Sequence, residues 1–61
     1  MKFNVTVRVI TGSNTAAWRT VDHKIPLRMP VGSFDWQVRI AAQERASKSW
    51  RNCWVTDIQP A

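Results

Sequence analysis

Sixty-one residues carry four tryptophans, one cysteine, one histidine and a formal net charge of +5. One cysteine excludes an intramolecular disulfide, and a single Cys with a single His argues against a structural zinc site. A chain this short makes one domain at most and has room for only one or two fully buried indoles. Some tryptophan is therefore expected at the surface.

The N-terminal stretch 2–11 alternates. Phe3, Val5, Val7 and Val9 share one side, and Lys2, Asn4, Thr6 and Arg8 the other, which is the pattern of a half-buried strand. Lys2, Asn4, Thr6 and Arg8 also interrupt what would have to be the apolar core of a signal peptide. No run approaches the roughly 20 apolar residues that span a bilayer. With a lone thiol suited to a reducing compartment, these features predict a soluble cytoplasmic protein without a membrane partner.

Gly12, Ser13 and Asn14 supply turn chemistry. A second extended stretch is expected from Ala17 to Leu27, pairing with the first as a hairpin. Val21, Ile25 and Leu27 share one of its faces, with His23 between them. Pro26 donates no ladder hydrogen bond, which places this strand at a sheet edge or near its end. Pro30, Val31 and Gly32 break the chain again.

A helix is predicted from Phe34 to about Lys48, with Ser33 as its N-cap and Asp35 in the first turn. Phe34, Val38, Ala41 and Ala42 form its core stripe. Trp36 and Ile40 fall on nearly the opposite side, so either the helix is sandwiched or that side meets a partner. Cys53 to Gln59 reads as a last strand, stopped by Pro60. Trp50 and Trp54, four apart on extended chain, are expected on one face, one sealing the core and the other half exposed.

The order is β-β-α-β. It predicts a single α+β domain over residues 1–61, a three-stranded, mainly antiparallel sheet covered on one face by one helix. The other sheet face is left open.

Catalytic chemistry is not legible. His23 stands apart from any nucleophile motif, and the four acids Asp22, Asp35, Glu44 and Asp57 form no spaced pair. Two glycines cannot build a phosphate-cradling loop. Cys53 reads as a packing residue. The expectation is a non-enzymatic binder without metal or cofactor. Exposed tryptophan beside arginine is the composition of a binding face for protein or nucleic acid.

Three short stretches resemble the small phage-encoded inhibitors of bacterial RNA polymerase made by short-tailed coliphages. They are Lys2-Phe3 continuing to Thr6-Val7, the triplet Ile25-Pro26-Leu27, and Val55-Thr56-Asp57-Ile58-Gln59-Pro60. The resemblance implies a host-takeover protein that binds the jaw of the polymerase's largest subunit and acts with the primary sigma factor to block promoter opening. It also implies the β-β-α-β order. The chain departs from that family in two places. Asp57 and Gln59 stand where the family has two arginines on its last strand, and the helix carries Arg39, Arg45 and Lys48 where the family's is acidic.

Contacts are expected at Arg8 and Trp18 on the hairpin and at Arg51, Asp57 and Gln59 around the last strand. Two further readings use the same residues: a small basic nucleic-acid-binding module, and a partner-stabilised subunit, which a thin core would suit.

Overall fold

A computed structural model describes residues 1–12 and 15–61, and Ser13 and Asn14 of the expected turn lie outside the described residues. The elements in chain order are strand β1 (Lys2–Thr11), a short 3-10 turn (Thr15–Ala17), strand β2 (Arg19–Arg28), helix α1 (Asp35–Ser49) and strand β3 (Cys53–Pro60). They form an α+β domain with one open sheet of order β2-β1-β3, antiparallel throughout. No helix among the described residues is long and apolar enough to cross a membrane.

β1 is central, and its alternation puts Phe3, Val5, Val7 and Val9 on one face. Val5 and Val7 are fully buried and Val9 nearly so. Burial of each valine is worth about 1.5–3 kcal/mol. Val38, Ala42 and Ala46 recur every four residues on α1 as its buried stripe, and Ala42 and Ala46 meet the valines. Two alanines in the stripe let the helix backbone approach the sheet closely. Phe3, Val55, Ile58, Ile25, Leu27 and Trp50 pack around this centre, half-buried.

The helix boundary differs from the expected one by a residue. Ser33 is not the N-cap, because its hydroxyl donates to the Pro30 carbonyl at 2.7 Å and closes the preceding turn. Phe34 takes the cap position in extended conformation, and its N–H donates to Gln37 Oε1 at 2.9 Å. Phe34 then points away from the core and is 65% exposed, so the core stripe runs through Ala46 instead. Trp36 and Ile40 are exposed on the outer side, as their spacing predicts.

Gly12 closes the hairpin end of β1 with φ +122°, a conformation open to glycine. A Cβ there would stand 2.6 Å from the Ala17 carbonyl oxygen, so substitution meets both strain and a clash.

The helix sits off centre. Its anchors lie on β1 and β3, whereas β2 has no buried residue, and Val21 on its helix-side face is 42% exposed. The molecule is correspondingly drawn out, 43 × 17 × 15 Å.

Candidate binding face

The register places alternate residues of all three strands on the open face. Across the sheet run the rows Arg28–Lys2, Pro26–Asn4–Gln59, Lys24–Thr6–Asp57 and Asp22–Arg8–Trp54. A β-bulge between Thr6 and Val7, opposite Thr56, lets Trp54 and Asp57 both face outward although three residues separate them.

Arg8 Nε donates to Asp22 Oδ1 at 3.0 Å, and Nη2 reaches Oδ2 at 3.5 Å. The arginine's hydrogen bond, ahead of its charge, holds the Asp22 carboxyl below its ordinary pKa, and the same bond raises that of Arg8. Both side chains remain close to half exposed. Trp54 flanks Arg8 on the other side and is 41% exposed. Two strand positions on, Asp57 accepts from Gln59 Nε2 at 3.0 and 3.1 Å. An acid–base–aromatic row therefore adjoins a second carboxylate whose orientation is fixed by a neighbouring amide.

Of the residues expected to make contacts, Arg8, Asp57 and Gln59 share this face. Trp18 and Arg51 do not join Asp57 and Gln59. Trp18 precedes Arg19, which pairs with Thr11, and Arg51 lies in the connection before Cys53, which pairs with Val9. Both belong to the hairpin end of the sheet, about 20 Å along β1 from the Asn4 row. Trp18 is 55% exposed there and Arg51 is also exposed.

Trp54 is the residue that sequence reasoning misplaced. Trp50 and Trp54 do not share a face, because the chain is not continuously extended between them. Trp50 caps α1, its N–H donating to the Ala46 carbonyl at 2.9 Å. Its ring stacks on His23, centroids 4.8 Å apart and planes 20° from parallel, on the helix side of the sheet. Trp54 alternates with half-buried Cys53 and Val55 and so takes the opposite face. Strand parity counted from Cys53 gives that answer.

Lys2, Lys24 and Arg28 lie on the open face along β1 and β2 and form no ion pair among the described residues. A cavity of about 330 Å³ opens at this end, lined by Lys2, Asn4, Pro26 and Arg28 among others. No group of three or more His, Cys, Asp or Glu suited to a metal occurs among the described residues. No family model, curated protein or solved structure matches the chain.

Proposed function

We propose that this chain is a non-enzymatic, phage-type host-takeover protein that docks on bacterial RNA polymerase and inhibits it by occluding a surface. The observation that supports the binding class is the row Asp22–Arg8–Trp54 beside Asp57 and Gln59. A half-exposed indole flanked by oriented charges of both signs suits a protein surface, where aromatic and arginine side chains carry most of the binding energy. The choice of polymerase as partner rests on the three sequence stretches named above. With Asp57 and Gln59 in place of arginines, the docking contact offers a carboxylate and an amide to a basic or hydrogen-bonding surface.

The test is affinity capture from nuclease-treated bacterial lysate followed by promoter-dependent transcription with the purified holoenzyme. The reading expects stoichiometric recovery of polymerase subunits and loss of transcript, with both effects weakened at least tenfold by Trp54→Ala. Recovery of a different single protein discards the polymerase assignment.

A nucleic-acid reading is favoured by one observation, the cations Lys2, Lys24 and Arg28 on the same face as Trp54. Affinity for DNA or RNA would then fall steeply with salt as counterions are released from phosphates. Asp57→Arg separates the two readings. It strengthens nucleic-acid binding and weakens a protein contact that uses the carboxylate.

A further inference from the structure

The two edges of the sheet are finished differently. On β3, Gln43 of α1 covers the outer backbone: its Nε2 donates to the Cys53 carbonyl at 3.2 Å, and its Oε1 accepts from the Val55 N–H at 3.3 Å. The bulge at Thr56 then breaks the strand's line. β2 is a ten-residue edge in unbroken register, with neither device.

The direction of its backbone groups follows from one pair. Met29 N–H donates to the Met1 carbonyl, and the Met1 amine donates to the Met29 carbonyl. Alternation along the antiparallel ladder then turns the odd-numbered residues of β2 toward β1 and the even-numbered ones outward. Thr20, Asp22, Lys24 and Arg28 thus present N–H and C=O at the free edge, and Pro26 presents only its carbonyl. No hydrogen bond among the described residues occupies the outward amides of Asp22 and Lys24.

From these groups we infer that β2 pairs antiparallel with β2 of a second copy, about a two-fold axis through His23. This register sets Asp22 opposite Lys24 of the second copy, and Lys24 opposite its Asp22. Each pair exchanges two backbone hydrogen bonds and joins opposite charges on the open face. Thr20 meets Pro26 and donates to its carbonyl, so each proline removes one ladder bond, three residues from the axis. On the helix side, Val21 faces Ile25 of the second copy and its exposed surface is covered.

Neighbouring registers are worse. An axis through Asp22 or Lys24 places like charges in direct opposition, and one through Ile25 pairs Asp22 with Arg28 but brings both prolines next to the axis, at the centre of the ladder. One-residue shifts bring outward amides against residues turned to β1.

Pairing would leave the two open faces continuous across a six-stranded sheet.

The test is sedimentation equilibrium of the intact chain from micromolar to about 0.5 mM, with Asp22→Lys and Lys24→Asp made as separate variants. The expected result is a mass rising from 7.0 kDa toward twice that value, with each variant's dimerisation weakened at least tenfold. Mixing the two variants restores the dimer, because every charge pair is then complementary. Lys24→Asp leaves the Arg8–Asp22 bond untouched, and circular dichroism checks that each variant is folded. A wild type that stays monomeric across this range overturns the proposal. So does a dimer that neither substitution weakens, or two variants that fail to rescue one another.

Discussion

β3 and β2 each turn three apolar residues to the helix side of the sheet, Cys53, Val55 and Ile58 against Val21, Ile25 and Leu27, but the two strands are used in opposite ways. On the β3 side, α1 brings alanines against β1 and lays an amide along the strand edge, so both side chains and backbone are satisfied within the chain. On the β2 side, Val21 stays exposed and the outward backbone is bare. Closing one edge internally while leaving the other open concentrates stability on β1, β3 and α1. It leaves β2 as the place where another molecule can add to the sheet.

The sharpest way to break this contrast is to put the same charge on both sides. Val5→Asp buries an unpaired carboxylate at a fully enclosed position, which costs several kcal/mol and should abolish the cooperative urea transition followed by circular dichroism. Val21→Asp puts it on the open side, where the change should stay within about 0.5 kcal/mol in dilute protein. Equal losses would mean that β2 is as much part of the core as β1.

Next in size is Gln43→Ala. It strips the cap from two partly buried backbone groups and should lower unfolding free energy by about 1–3 kcal/mol, read as a drop in urea midpoint at unchanged slope. Amide hydrogen exchange in dilute wild-type protein sharpens the same point without mutation. The Val55 amide, held by Gln43, should exchange far more slowly than the outward amides of Asp22 and Lys24. Equal rates would remove the distinction between the edges.

Arg8→Ala should have the smallest effect, and its pH dependence carries the information. The native Asp22 carboxyl is held below its ordinary value by Arg8. The stabilisation is therefore complete above the unfolded carboxyl pKa of about 3.9 and disappears as pH falls through the lower native value. Wild type and variant should differ slightly in urea midpoint at neutral pH and converge below about pH 4. A difference that persists in acid would assign the effect to packing of the arginine stem.

Much of this architecture is legible in the residues. Alternation through Val5, Val7 and Val9 marks a half-buried strand, Pro26 marks an edge, and the element order gives the layers. Three features were not legible, each because a neighbour intervened. Ser33 spends its hydroxyl on Pro30, which moves the cap and turns Phe34 outward. Trp50 ends the helix, which separates it from Trp54. The bulge at Thr56 shifts the parity of β3, so Asp57 and Trp54 face the same way. Each depends on a hydrogen bond or register whose partner lies elsewhere in the chain. The candidate face is accordingly visible through Arg8, Asp57 and Gln59, and its indole only through strand parity counted from Cys53.

Gln43 has one more consequence. Its Nε2 donates to Ser47 Oγ as well as to the Cys53 carbonyl, and its Oε1 accepts from the Val55 N–H, so toward β3 it pairs as a peptide unit does, because odd-numbered residues face outward at that point. A helix side chain therefore performs a parity check on a strand ten residues downstream. Deleting one residue from the 50–52 connection would present it with backbone groups aimed at β1, and both hydrogen bonds would be lost together. The length of that short link is thus specified by an amide that does not belong to it.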